Sequence, residues 1–380
     1  VANPRKIVIA AVYPHAAGAA HFNAAMVRAM SAKSAVELLG WRRMYPPWLY
    51  RGPSLDTSTP PDSSPAPSFL LDWYDPRTWR RAVRRAEEFE ADALVLPWLH
   101  PVMSLPYRFL LKNVRSSVAR VVICHNVVPH ELRPGLSRLT RTVLRHADLF
   151  VTHSPHQRRQ LAALDLAATP VVEAFHPRFV ASDLAREATG EEIEAERARL
   201  GDPDLLLVAF GAVRPYKGVD LALDALALVD PGLDVKLVVA GRFWSGEKEL
   251  RARAESLGLN GRVEFRDRFV SNEEAALLFG AAHAAMLPYR SASQSGVAQL
   301  SFAYGRPVIA TSVGGLPAAV THGEDGLLCQ PGDPVALARA IEAMSREHTR
   351  LAAGVRARSG ERSFRRYSDL IDDALVGGPA

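Results

Sequence analysis

The chain has 380 residues, 48% of them hydrophobic and 23% charged, with a formal net charge of +5. That size suits two domains, each able to bury a core, and the composition excludes a disordered or collagen-like chain. Two cysteines, Cys124 and Cys329, have no metal-ligand spacing, which argues against a disulfide framework or a zinc site and makes a reducing cytoplasm the default compartment. The basic surplus fits an anionic ligand, whether a nucleotide sugar, a nucleic acid or a lipid headgroup surface.

Residues 6–12 form a continuous β-branched run, as buried parallel strands do. The run is short and ends at Tyr13-Pro14, so it reads as a first strand rather than a leader. No apolar run is long enough to cross a bilayer. A turn around Pro14 and Gly18 follows, and then Phe22, Met26, Val27 and Met30 fall on one helical face. Strand, glycine turn and helix open a Rossmann-like unit, but the GxGxxG fingerprint is absent and gives NAD no support. Residues 46–67, rich in Pro, Ser, Thr and Asp, read as a long surface loop. A helix over 78–90, strands over 93–97 and 119–124, a helix over 136–146 and a strand over 149–153 continue the alternation. With Val171-Val172 they imply a parallel, helix-covered sheet. Residues 177–203 turn charged and alanine-rich, with a helix over 191–200 and Gly201 as its stop, and the domain boundary is set there. The second half repeats the pattern, with strands over 205–210, 236–240, 263–265, 284–287 and 308–310 and helices between them.

Residues 293–320 read as a polar loop, a short helix, a stop, a strand and a second glycine turn. Ser295 can cap the helix, Gly296 lets a ligand approach the backbone, and Gly305 stops the helix before Pro307. Free N–H groups at Ser295–Val297 would favour a phosphate. The helix dipole contributes only about 0.3–1 kcal/mol, so a cation is needed as well. An ordinary capped helix explains this loop alone equally well. Upstream, the apolar run 205–210 leads into Gly211-Ala212-Val213-Arg214-Pro215-Tyr216-Lys217-Gly218. Arg214 and Lys217 therefore follow a buried strand, where open α/β sheets bind ligands, and their charges suit a diphosphate. Two such loops in one α/β half point to a nucleotide-activated substrate.

These residues resemble a family. FGAVRPYKG, LVVAGRFW, VEFRDRFVSNEE, MLPYRSASQSG and YGRPVIATSVGGLPAAVTHGEDGLLCQPGD are similar to the donor-binding half of a family 4 glycosyltransferase of the GT-B fold. GAAHFN, WRRMYPPWLYRG, DWYDPRTW, LPWLHP, ICHNVVPHE and RHADLFVTHS resemble a bacterial branch of it, so the likeness covers nearly the whole chain. The resemblance implies an α/β protein of two Rossmann-like domains facing across a cleft. Residues 1–180 would take the acceptor and 181–361 the donor, with a last helix within 362–380 packing back on the first domain. It also implies retention at the anomeric carbon, no metal, and no cofactor beyond the nucleotide sugar itself, UDP-linked as a first choice and GDP-linked as a second. Arg214 and Lys217 would hold the diphosphate, and His125, at a strand end, would be the active-site histidine near the donor sugar. Gly18 and Ala19 would face the donor phosphates, and Gly211, Phe269, Gln294, Ser295, Gly296 and Val297 would complete the donor site. The family commonly has a Glu, seven residues and a second Glu here; this chain has Ala292 and Leu300. The phosphate-binding arginine also sits later in its loop than in the common GRxxxxKG pattern.

On the acceptor side, His15, His21, Trp98 and His100 are candidates, although core packing is the commoner role for Trp and a structural role the commoner one for His. His153 is a further cleft candidate, and His130 with Glu131 reads as a loop tether. Arg77, Arg80, Arg81 and Arg84 form one basic cluster, and Arg138, Arg141 and Arg145 share another helical face. Either could lie on anionic lipid at the inner face of a membrane or simply be solvated. No nucleic-acid-reading motif accompanies the charge. The resulting expectation is a glycosyltransferase acting on a polysaccharide, lipid-carrier or secondary-metabolite acceptor. The alternatives are a sugar-nucleotide epimerase of GT-B architecture and a non-catalytic nucleotide-sugar-binding protein.

Overall fold

The computed structural model describes residues 4–11, 18–44, 65–128, 135–180 and 187–376, with the backbone alone at Gly18 and Ala19. Most of the loop expected over 46–67 lies outside the described residues, as do His15, His130 and Glu131. The chain divides into two compact units, one of Val1–Phe175 with Phe364–Ala380 and one of His176–Ser363.

The first unit runs β1 (Lys6–Ala10), α1 (Gly18–Ser31), β2 (Ala35–Arg43), β3 (Ser68–Asp72), α2 (Pro76–Glu88), β4 (Ala93–Trp98), α3 (Ser104–Asn113), β5 (Ala119–Cys124), α4 (Leu136–Leu144), β6 (Leu149–Thr152), α5 (Pro155–Ala163) and β7 (Val171–Glu173). Among the described residues its strands make one seven-stranded sheet, β3-β2-β1-β4-β5-β6-β7, with every pairing parallel. Ile7, Val8 and Ile9 of β1 are wholly buried, as a strand covered on both faces requires. Phe22, Met26, Val27 and Met30 give α1 its buried stripe. Asp75 starts α2 by accepting from the Arg77 N–H at 2.9 Å, with Pro76 at the first helical position. Trp79, Ala82, Val83 and Ala86 then face the core.

The second unit continues with α6 (Gly190–Arg199), β8 (Leu205–Phe210), α7 (Val219–Leu228), β9 (Val235–Ala240), α8 (Glu247–Ser256), β10 (Val263–Arg266), α9 (Asn272–Ala281), β11 (Ala284–Leu287), α10 (Gly296–Ala303), β12 (Val308–Thr311), α11 (Leu316–Ala319), β13 (Gly326–Cys329) and α12 (Pro334–Ala357). Its six described strands, β10-β9-β8-β11-β12-β13, are again all parallel, with apolar layers on both faces. The Thr189/Glu192 capping box starts α6, and Asp333 caps α12. The last helix, α13 (Phe364–Val376), packs on α1 and β7 and so belongs to the first unit.

In each sheet the strand order reverses once, between β1 and β4 and between β8 and β11. Ligands of open α/β sheets bind beyond the carboxyl ends of the strands at such a reversal. The second unit is tied together at its edge by a buried ion pair, Arg178–Asp325 at 2.5 Å. The Arg178 guanidinium also donates to the Val355 carbonyl at 3.1 Å and lies over the Phe302 ring at 4.3 Å.

Candidate functional site

The loops after β8 and β11 meet at the reversal point of the second sheet. After β8, Gly211 takes φ +87°, and a short 3-10 turn, Pro215–Lys217, ends at Gly218 with φ +64°. Gly218 touches the β11 loop so closely that a Cβ there would run into the Pro288 carbonyl oxygen. Arg290 fastens the two loops together. Its backbone N–H donates to the Tyr216 carbonyl at 2.7 Å, and its guanidinium donates to the Pro215 carbonyl at 2.9 Å and to Asp220 at 2.6 and 2.8 Å.

Lys217 is buried, and its ammonium donates to the Phe210 carbonyl at 2.7 Å. Burial, with the Arg214 charge second, lowers its pKa to about 8. The ammonium sits 5.7 Å from the centroid of the buried Tyr289 ring. Burial raises the Tyr289 phenol, whose hydroxyl engages the Ser295 side chain. Ser295 also caps α10, accepting from the Ala298 N–H at 3.3 Å. A Cβ at Gly211 would lie 3.0 Å from the Lys217 Nζ and 3.9 Å from the Val297 Cγ2. Lys217, Gly211, Ser295, Gly296 and Val297 are therefore one neighbourhood, with a buried ammonium beside a helix N-terminus. Gly296 itself is exposed with open space at its Cβ position. Such an assembly attracts a diphosphate through charge and free N–H groups.

Arg214 sits at the edge of this group. Its guanidinium lies over the half-exposed Trp244 ring at 3.9 Å, a cation–π contact that the sequence did not suggest. Phe269 is 49% exposed in the loop after β10, and Gln294 is half-buried in the loop before α10. At the family's carboxylate positions, Ala292 is buried and its carbonyl accepts the Gly315 N–H at 3.1 Å, while Leu300 packs half-buried against an apolar layer. Gly314 passes so close to the Ala292 carbonyl oxygen that a Cβ would overlap it.

In the first unit, Gly18 and Ala19 are the first residues of α1. His125 follows β5 directly and is buried, its ring edge-on to Phe22 with centroids 4.5 Å apart and 5.3 Å from the His153 ring. His153, just past β6, shares a hydrogen bond of 2.9 Å between its Nε2 and the Tyr367 hydroxyl of α13. Phe364 of the same helix meets Phe22 at 5.4 Å. His21 lies half-buried on α1. His100 caps a 3-10 turn, its Nδ1 accepting from the Val102 N–H at 3.1 Å. Trp98 corrects its expectation as an acceptor platform. It ends β4 with no exposed surface, its ring 6.2 Å from Tyr107, so it is a core residue with no face for a ligand.

Sequence reasoning missed Gln157, Arg290, Tyr289 and Tyr367. Arg290 and Tyr289 stand inside the MLPYR motif, and their roles depend on a neighbouring loop. Gln157 and Tyr367 carry no local signal at all. Among the described residues, no group of three or more His, Cys, Asp or Glu is placed to hold a metal ion. No described helix is long and apolar enough to cross a membrane.

Residues 204–347 match the family model described as glycosyl transferases group 1. The chain is 37% identical over 210 residues to a D-inositol 3-phosphate glycosyltransferase of Streptomyces scabiei, covering 52% of this chain and 46% of that one. It is 34% identical over 231 residues to the protein of the same name in Mycobacterium bovis, covering 60% and 46%. The chain thus spans about half the length of the curated relatives it matches. Its fold is GT-B. The sucrose-phosphate synthase of Thermosynechococcus elongatus superposes with a TM-score of 0.72 at 19% identity, covering 97% of this chain and 98% of that one. Anabaena Alr3699/HepE, solved with UDP and glucose, superposes with a TM-score of 0.71 at 18% identity, covering 98% and 100%.

Proposed function

We propose that this chain transfers a glycosyl group from a nucleoside diphosphate sugar to a hydroxyl acceptor, with retention and without a metal. One observation carries the reading: the buried Lys217 ammonium and the N-terminus of α10 converge at the reversal point of a group 1 glycosyltransferase domain. In the transition state the departing diphosphate gains negative charge. Lys217 and the free N–H groups at Gly296 and Val297 stabilise that charge, and Arg214 adds to the local positive field. The acceptor attacks from the face the diphosphate leaves, and a leaving phosphate oxygen takes its proton. His125 orients the sugar. UDP is the first choice of nucleotide and GDP the second; the UDP bound by the Anabaena protein supports the former. The curated relatives match this chain over only half their length, so their acceptor is not carried across.

A melting-temperature screen against UDP, GDP, ADP and dTDP tests the reading, because a ligand that binds the native state raises apparent stability by mass action. UDP should give the largest shift, and Lys217→Ala should abolish it. Turnover of UDP-sugars by the His125→Ala and Lys217→Ala variants should drop at least about tenfold with melting near that of the parent. A flat screen, or parent-like turnover in the Lys217 variant, refutes the assignment. Product analysis separates transfer from epimerisation, and binding without turnover identifies a non-catalytic binder.

A second reading concerns location. Helices α2, α3 and α4 pack side by side in the first unit and expose Arg80, Arg81, Arg84, Arg108, Lys112 and Arg138 together with Leu105 and Leu139. Cations with interspersed apolar side chains favour peripheral binding to an anionic lipid surface.

A further inference from the structure

The parallel ladder between β5 and β6 stops short of the two histidines. Its register runs Val121↔Leu149, Val122↔Phe150 and Ile123↔Val151. Beyond that point a side chain stands in for backbone. The carboxamide of Gln157, on the first turn of α5, donates from Nε2 to the His125 carbonyl at 2.9 Å. Its Oε1 accepts the His153 N–H at 2.7 Å. Gln157 is wholly buried. One planar amide thus supplies a donor to one strand end and an acceptor to the other, as a peptide group would in a ladder rung. The residues it joins are the two whose rings meet edge-on at 5.3 Å, with the Phe22 ring beside both.

We propose that Gln157 is a positioning residue for His125, an inference that rests on the role assigned to His125 above. The backbone at His125 is anchored on opposite sides. Its N–H donates to the Trp98 carbonyl at 3.0 Å, and its carbonyl accepts from Gln157. The Asn126 N–H also donates to the Trp98 carbonyl at 3.3 Å, so losing the Gln157 anchor leaves the peptide following His125 held on one side only and lets the ring turn away from its edge-on contact with Phe22. A buried polar pair on both sides of the amide makes glutamine specific here. An apolar side chain of the same length leaves a carbonyl and an N–H unpaired. A carboxylate keeps the acceptor for His153 but sets its own negative charge against the His125 carbonyl.

The test compares Gln157→Met, Gln157→Glu and His125→Ala with the parent chain, using release of the matching nucleoside diphosphate from UDP-glucose, UDP-N-acetylglucosamine, GDP-mannose and ADP-glucose, and amide hydrogen exchange. Gln157→Met should speed exchange at the amides of 125–126 and 153 by at least about tenfold while leaving the sheet interior unchanged. Its kcat should fall by about tenfold to a hundredfold, with KM and UDP affinity within about threefold of the parent. In Gln157→Glu the introduced carboxyl can donate to the His125 carbonyl only when protonated. Its kcat should therefore approach the parent at acid pH and fall away from it as pH rises, a profile that mere loss of packing does not produce. Unchanged exchange in Gln157→Met overturns the clamp. Faster exchange with parent-like kcat overturns the positioning role, and so does a Gln157→Glu profile parallel to the parent's. The proposed function fails separately if the parent releases nucleotide from none of the four donors, and the clamp is then decided by exchange alone. Parent-like kcat in His125→Ala removes the role assigned to His125, and with it the positioning role of Gln157.

Discussion

Lys217 joins a place in the fold to the chemical role proposed above. Its ammonium is held by the Phe210 backbone carbonyl in a buried setting, and burial brings its pKa down to about 8. Near neutral pH it keeps its proton at a desolvation cost that an incoming anion offsets. The sign of the pH dependence follows from this. The charged form binds a diphosphate better, so UDP affinity is at its fullest below pH 8 and declines as pH rises through that value and the ammonium is lost. Calorimetric titration with UDP from pH 6.5 to 9.5 should show this falling limb. In Lys217→Ala the limb should be absent and affinity at pH 7 at least about tenfold weaker. A parent affinity that is flat to pH 9.5 removes Lys217 from the phosphate site. That Lys217 follows a buried strand was legible in the sequence, because the apolar run 205–210 leads directly into its loop. The stacking of Arg214 on Trp244 was not, because the two side chains come from successive strand ends that only the sheet brings together.

Loops and turns decide whether those side chains converge. The β11 loop is wedged between two glycines from neighbouring strand ends, Gly218 against Pro288 and Gly314 against Ala292. Gly314 has φ +53° in addition to its contact, so a side chain there meets both backbone strain and overlap. Gly314→Ala should lower stability by about 2–3 kcal/mol or more, seen in urea unfolding, and weaken UDP binding because the loop leading to Ser295 shifts. Gly296→Ala meets open space and should cost far less stability, which makes it the matched control. The sequence showed the glycines of the SVGGLP run as a turn without showing what they touch. It showed most buried strands because continuous Val, Ile and Leu leave little choice. It did not show β2, whose nine residues include Glu37, Gly40 and two terminal arginines. That strand is fixed by pairing along β1, from Lys6↔Ala35 to Ala10↔Leu39, rather than by local pattern. Trp98 departs from its expectation for a related reason: a Trp at a strand end can face a ligand or the core, and only packing decides.

Across the chain, surface charge is unevenly placed. The cations of α2, α3 and α4 share one region of the first unit with exposed Leu105 and Leu139. Each cation near an anionic bilayer contributes on the order of 1 kcal/mol, and that contribution is screened by salt. The protein should float with phosphatidylglycerol vesicles at 50 mM salt, stay behind with neutral phosphatidylcholine vesicles, and be released at 0.5 M salt. Replacing Arg80, Arg81 and Arg84 by Gln should remove most of the binding while leaving UDP affinity intact. No flotation at low salt ends the idea.

The place of α13 gives the molecule an order of completion. Its Phe364 and Tyr367 are among the last residues described, yet they finish the surroundings of Phe22 and His153 in the unit where the chain starts. A ribosome delivers the entire second unit before it delivers those two rings, and domains tend to fold as they emerge. The second unit can therefore mature first, while the surroundings of His125 and His153 wait for α13. A chain cut before α13 would hold the second unit whole and leave the first without the two rings that pack on Phe22 and His153.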